Sequence, residues 1–207
     1  MKNPRILLIA TTSLILIGFT ACINPGNKGR SPHDDHRVKR LFDVQFAKIY
    51  LRDVGGLVYR QSDSVVWAPD GDQNLGLFGV WFLQGEKYNL SDPNIQVGYF
   101  AKSLPGQESI DKLLAWVEKT FVKEKGGTIL QARTEFPTYS GKSAEMMTIN
   151  MPPDTFQSKF DKGKWLTYAY IEQEKYFIAF VLTAFDPIRY ERLSRYYKDL
   201  LGTYEEN

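Results

Sequence analysis

Apolar residues in this chain of 207 residues follow a two-residue period over most of its length and switch to helical spacing in two places. That switch restricts the fold more than any other feature. The first is Ile110, Leu113, Leu114, Val117 and Phe121, which sets an amphipathic helix over residues 107–125. Ser109 is its candidate N-cap, and Gly126-Gly127 is its stop. The second begins at Asp186, a capping residue followed by Pro187, whose missing N–H is no loss at the first helical position. Its inward stripe is Ile188 or Tyr190, then Leu193, Tyr197, Leu200 and Leu201, with Gly202 as the C-cap.

Around these two helices the chain reads as strands. Phe42, Val44 and Phe46 alternate with other residues, and further strands are predicted over residues 56–60, 64–68, 75–83 and 95–101. After the first helix come 128–136, 143–151, 165–173 and 176–185, the last two flanking Glu174 as a hairpin rich in aromatic residues. Strands, one helix, four strands and a closing helix make an α+β pattern. The short links between strands favour one antiparallel sheet with both helices packed on it. A single domain is expected over residues 41–207.

The N-terminal residues carry an address. Lys2 and Arg5 precede an apolar run over residues 6–17, and Gly18-Phe19-Thr20-Ala21 leads to Cys22, the one cysteine of the chain. Thr11, Thr12 and Ser13 interrupt the run, which falls short of the about 20 apolar residues that a spanning helix needs. Residues 1–21 therefore read as a secretory signal peptide. A small residue directly before a lone Cys resembles the bacterial lipobox, in which cleavage leaves an acylated Cys as the first residue. Phe19 in place of the usual Leu makes this the relaxed, spirochaete-like form. Two or more acyl chains anchor stably where one binds only marginally, so the resemblance implies a membrane partner reached through lipid on Cys22. Asp after the Cys would favour inner-membrane retention, and Ile23 stands there instead, which implies the outer membrane. The other reading of Cys22 is a leftover thiol closing an ordinary signal peptide. That would leave a reactive group unpaired outside the cytoplasm.

Residues 24–40 are rich in Pro, Gly, Asn and charge, with almost nothing apolar before Val38. Such a segment cannot bury enough surface to offset its ordering entropy, so a flexible tether is expected. Setting aside residues 1–21 removes Lys2 and Arg5 and no acid, which leaves 24 basic residues against 24 acidic ones. A neutral body argues against nucleic acid, whose partners present a basic face.

Several chemistries are excluded or unsupported. Both histidines, His33 and His36, lie in the tether as His-Asp-Asp-His, where no scaffold holds zinc ligands tetrahedrally, so no metal is expected. With neither His nor Cys after residue 40, the body cannot run Ser-His-Asp or Cys-His catalysis. Asp70-Gly71-Asp72-Gln73-Asn74 copies the opening of a calcium loop but has Leu75 at the Gly position and Trp81 at the Glu position. It reads as a turn. Gly76-Leu77-Phe78-Gly79 sits inside a strand pattern and has no phosphate logic, and no cofactor is expected. Carboxylate-pair or lysine chemistry stays open because those residues are plentiful, although no spacing singles out a pair.

For recognition, the aromatic hairpin stands out. Trp165, Tyr168 and Tyr170 cannot all share a face with Leu166 and Ala169. If they face solvent, they form an amphipathic binding surface; otherwise they are core. Arg189, Arg192 and Arg195 line the outer face of the last helix, where a solvated face is expected.

The helix SIDKLLAWVEKTF (109–121), the segment GKSAEMMTINM (141–151) and the stretch YAYIEQEKYFIAFVLTAFDPIRYERLSRYYKDLLGTY (168–204) together resemble the PsbP-like fold family. That family includes photosystem-associated lumenal proteins, Ran-binding relatives and many bacterial lipoproteins. The resemblance covers residues 95–204 through element order and short motifs. It implies a small-residue turn before a strand, a long two-stranded hairpin and a closing helix. The family shares no catalytic constellation, so no site residue is carried over. Two functions are weighed: a lipid-anchored envelope protein that binds an envelope protein or a small ligand without catalysis, or an envelope enzyme working through carboxylate or lysine groups.

Overall fold

The structure is a computed structural model that describes residues 37–44, 47–60, 75–86, 93–103, 108–153 and 163–206. In chain order these residues form β1 (Lys39–Val44), β2 (Ala47–Arg52), β3 (Leu57–Arg60), β4 (Leu75–Leu83) and β5 (Asn94–Ala101). Helix α1 (Ile110–Val117) follows and runs on into a wider π-helical stretch (Glu118–Glu124). Then come β6 (Thr128–Pro137), β7 (Ser143–Met151), β8 (Lys164–Glu172), β9 (Tyr176–Ala184), helix α2 (Pro187–Gly202) and the two-residue β10 (Glu205–Glu206).

The central layer is a seven-stranded antiparallel sheet in the order β3-β4-β5-β9-β8-β7-β6. Its middle strand explains the layering. On β9, Phe177, Ala179 and Val181 point to one side while Ile178, Phe180 and Leu182 point to the other, and all six are buried. A strand apolar on both faces needs cover on both. The first face takes α1, through Leu113, Leu114, Val117 and Phe121. The second takes α2, through Leu193, Tyr197, Leu200 and Leu201, together with a three-stranded sheet β1-β2-β10 that inserts Phe42, Ile49 and Leu51. The α+β reading, with two main helices on an antiparallel sheet, is what the structure shows.

Local chemistry sets the helix boundaries. The Ser109 hydroxyl accepts from the Lys112 amide, and the Asp186 carboxylate accepts from the Arg189 amide at 2.8 Å, so both expected N-caps form. Pro187 stands in the first turn of α2 as expected. The C-terminus differs. Gly202 is the last helical residue and Thr203 is the cap, its hydroxyl donating to the Leu200 carbonyl at 2.7 Å. After α1 the ladder widens, and the Gly127 amide reaches back to the Phe121 carbonyl at 2.9 Å. Thr120 and Phe121 are buried along this stretch.

Two expectations need correcting, and one open choice is decided. The alternation Phe42-Val44-Phe46 is not one strand: β1 ends at Val44, and the chain returns as β2 from Ala47. The fold also starts earlier than Leu41, because Lys39 and Arg40 already belong to β1 and Arg37 pairs with Asp199 at 3.1 Å. Of the two candidates for the first position of the α2 stripe, Ile188 is 80% exposed, while Tyr190 packs on the core. Cys22, both histidines, Phe46, the predicted strand over 64–68 and the Asp70–Asn74 turn lie outside the described residues.

Candidate functional site

The predicted aromatic surface is the first place to look, and the structure takes it apart. Period two sends Leu166, Tyr168 and Tyr170 to the α1 side of β8 and Trp165 to the other side. Tyr168 and Tyr170 are only 3% and 4% exposed, because α1 lies over them, whereas Trp165 is half-buried. The Tyr168 ring lies 5.4 Å from Phe121 and 6.2 Å from Tyr170, in near-parallel planes with the latter. Phe100 closes on Tyr170 edge-on at 5.9 Å, and Trp116 meets Phe121 edge-on at 6.2 Å. Of the two readings of the hairpin, the solvent-facing recognition surface of Trp165, Tyr168 and Tyr170 is therefore set aside, and the core reading holds for Tyr168 and Tyr170. Alternation fixes which residues share a face, but not which face a helix covers.

This layer keeps a chemical irregularity. Burial pushes the Tyr168 hydroxyl well above the usual phenol range, with the Tyr170 hydroxyl adding to it, and burial does the same to Tyr170. Among the described residues the Tyr168 hydroxyl has no hydrogen-bond partner, and neither has that of Thr183, which alternation along β9 places on the same side of the sheet. Asn94 and Gln96, both buried, share that side on β5, with the Gln96 amide donating to the Asn94 carbonyl oxygen at 3.1 Å. The group is neutral throughout. It can hydrogen-bond but cannot move a proton near neutral pH.

The charged residues concentrate elsewhere, at the corner where β10, the β6–β7 turn and the β8–β9 turn meet. The Gln173 amide donates to the Tyr204 hydroxyl at 2.7 Å and to the Glu206 carboxylate at 2.5 Å, and Lys142 pairs with Glu206 at 2.7 Å. Backbone bonds fasten the same corner, from the Ser140 amide to the Tyr204 carbonyl and from the Tyr139 amide to the Gly202 carbonyl, each 2.9 Å. One strand over, Arg52 and Lys39 hold Glu205 at 2.8 and 2.5 Å. Partial burial works to raise the Glu206 carboxyl, but the hydrogen bonds from Lys142 and Gln173 outweigh it and bring the group below its ordinary value. Burial opposes in the same way at Glu205, where Lys39 and Arg52 prevail. Two carboxylates held ionised in this way act as fasteners for the last residues described.

The remaining charges lie on the surface. Arg133 bridges Glu145 and Asp111 across β6, β7 and α1. Arg189 reaches Asp186 and Glu86, both at 3.5 Å, Arg195 pairs with Glu191 at 2.7 Å, and Arg192 is exposed, as the solvated-face reading expects. Burial, then the neighbouring charge of Lys164, lowers the Lys125 ammonium. Among the described residues no group of three side chains is placed to hold a metal, and no helix is long and apolar enough to cross a membrane. The fasteners at residues 204–206 escape a sequence reading because nothing in Tyr-Glu-Glu signals that Gln173 and Lys142 will meet it.

The sequence matches no protein-family model and no curated protein. Solved structures similar to it include the cyanobacterial PsbP of Synechocystis, at 10% identity and a TM-score of 0.49, covering 88% of this chain and 100% of that one. A Pseudomonas aeruginosa protein of unknown function is 12% identical with a TM-score of 0.46, over 80% of this chain and 94% of that one. LpqN of Mycobacterium tuberculosis, described as involved in cell envelope biogenesis, is 12% identical with a TM-score of 0.45, over 86% and 98%. The likeness to a PsbP-like fold is thus a resemblance at low identity, and nothing about function is drawn from it.

Proposed function

We propose that this chain is a lipid-anchored cell-envelope protein with a binding or assembly role and no catalysis, held at the outer membrane through Cys22. One observation carries the reading: Ala21-Cys22 follows a short charged and apolar leader and supplies the one cysteine of the chain. The body supports the non-catalytic half. A general acid or base needs a pKa near the working pH, in a cleft that admits substrate. Here the ion-paired carboxylates are shifted away from neutrality, Glu205 by Lys39 and Arg52 and Glu206 by Lys142 and Gln173, and the buried tyrosines are shifted upward. Both shifts favour structural roles. With Tyr168 and Tyr170 covered, an envelope protein or small ligand meets this domain at its rims.

The test is intact-mass spectrometry of the membrane-extracted chain, with fractionation of wild type and Cys22→Ala. The expected result is a mass for residues 22–207 plus acyl groups, and loss of membrane retention in the variant. An unmodified Cys22 on the processed chain sinks the anchor.

A further inference from the structure

Strand β1 is the outermost strand of the three-stranded sheet, and among the described residues no strand pairs with its far edge. One bond shows which backbone groups face that edge. The Asp53 amide donates to the Val38 carbonyl at 2.8 Å. The β1/β2 register continues from that pair, so Arg40 and Phe42 also turn their backbone polar groups toward β2. Lys39, Leu41 and Asp43 therefore turn theirs to the open edge. The side chains of these three residues lie on the face away from buried Phe42. Leu41 is 47% exposed, and the side chains of Lys39 and Asp43 keep 36% and 56% of their surface.

The segment Val38-Lys39-Arg40-Leu41-Phe42-Asp43-Val44 is self-complementary about Leu41 at 38/44 and 39/43, while Arg40 mirrors Phe42. When a second copy is laid antiparallel with Leu41 opposite Leu41, Lys39 falls opposite Asp43 in both halves, and Val38 falls opposite Val44. The residues brought face to face at positions 39, 41 and 43 are those whose amides and carbonyls point outward. Both charges remain able to serve a second partner. Lys39 contacts Glu205 through one of its three N–H groups, and Asp43 holds Lys48 through Oδ2 at 2.6 Å, which leaves Oδ1. A partner slipped by one residue opposes the wrong backbone groups, and a parallel partner in register sets Lys39 against Lys39.

We propose that β1 pairs with β1 of a second copy of this chain across a two-fold axis at Leu41, joining two three-stranded sheets into one of six strands. The interface is isologous, the commonest form of dimer symmetry. The charges that make it self-complementary also turn away unrelated strands. Pairing along the seven residues 38–44 buries less than the about 1,200 Å² of a firm interface, so the dimer is a weak one. It does not depend on the lipid anchor.

Sedimentation equilibrium of the full chain in mild detergent should show a concentration-dependent dimer. Lys39→Asp and Asp43→Lys should each weaken it about tenfold or more, because like charges then face each other twice. Mixing the two single variants one to one should restore it, since every Asp again faces a Lys. Leu130→Lys, at an equally exposed leucine on β6, should leave it unchanged. Independently, a short bis-maleimide should link chains carrying Leu41→Cys with Cys22→Ser, and should not link those carrying Leu130→Cys with Cys22→Ser. Melting temperatures near that of wild type separate lost pairing from lost fold. A monomer at every concentration overturns the proposal, and so does a dimer indifferent to Lys39→Asp. It also fails if the mixture associates no better than its components, or if Leu130→Lys abolishes the dimer.

Discussion

The two faces of the seven-stranded sheet are covered differently. On the α2 side, buried hydroxyls are engaged: Thr148 with Thr167 and Thr167 with Tyr190, both at 3.0 Å, and Tyr197 with the Phe180 carbonyl at 2.9 Å. That side also has two covers, a helix and a small sheet, fastened at the Glu205–Glu206 corner. On the α1 side one helix with its widened end is the cover among the described residues, and on that side Tyr168 and Thr183 have no hydrogen-bond partner among them. An unmatched buried hydroxyl opposes burial by roughly 1–3 kcal/mol, whereas a matched one adds about 1 kcal/mol. The faces are similarly apolar, but among the described residues only the α1 side leaves buried hydroxyls unmatched. Local opening should therefore begin at α1, with its amides exchanging before those of α2.

The strongest challenge to this comparison is Phe121→Ala. It removes the side chain that joins the helix to Tyr168, and should lower stability by roughly 3–5 kcal/mol in denaturant melts. A near-neutral result would mean that α1 contributes little cover and that the α1 face is open. Tyr197→Phe comes next. It strips a donor from the matched face and should lower stability by about 1 kcal/mol. The same change on the other face, Tyr168→Phe, should be neutral or raise stability by up to about 1 kcal/mol, since it removes an unmatched group. If both tyrosines lost equally, the contrast between the faces would fail.

Acid should act on the α2 side. Glu205 and Glu206 sit below their ordinary values when folded, so the unfolded chain binds protons first as pH falls. Their contribution is complete above the ordinary glutamate value of about 4.3 and is lost as pH drops through the lowered folded values. Melting followed against pH should show that loss, and Glu206→Gln should reduce its slope. The smallest effect expected is that of Arg192→Ala on the outer face of α2, under about 0.5 kcal/mol by the same melts.

What the sequence disclosed was local. Ser109 and Asp186-Pro187 mark helix starts because capping needs only neighbours, and the inward stripes of both helices follow from spacing alone. The break between β1 and β2 was hidden because the sequence alternation Phe42-Val44-Phe46 carries on past Val44, where β1 ends. The place of Arg37 and Lys39 in the body was hidden for another reason. Their partners, Asp199 and Glu205, stand at the other end of the chain. Tyr168 and Tyr170 show the limit most directly. Period two assigns them a common side with Leu166, but covering that side is α1's doing, and no residue of β8 encodes it.

The ion pairs of Lys39 with Glu205 and Arg37 with Asp199 bring the first and last described strands to one rim, each bonded to β2. The two ends of the described chain are therefore close together in space. A linker from residue 206 back to residue 37 would join them by reversing direction, because β10 and β1 both run antiparallel to β2 and so parallel to each other. A new opening could be cut in an exposed turn such as the one at Gly85, where no neighbouring atom crowds the backbone. The order in which the elements are synthesised would change, while the contacts they make would not. For this domain, where the chain starts is a matter of sequence more than of architecture.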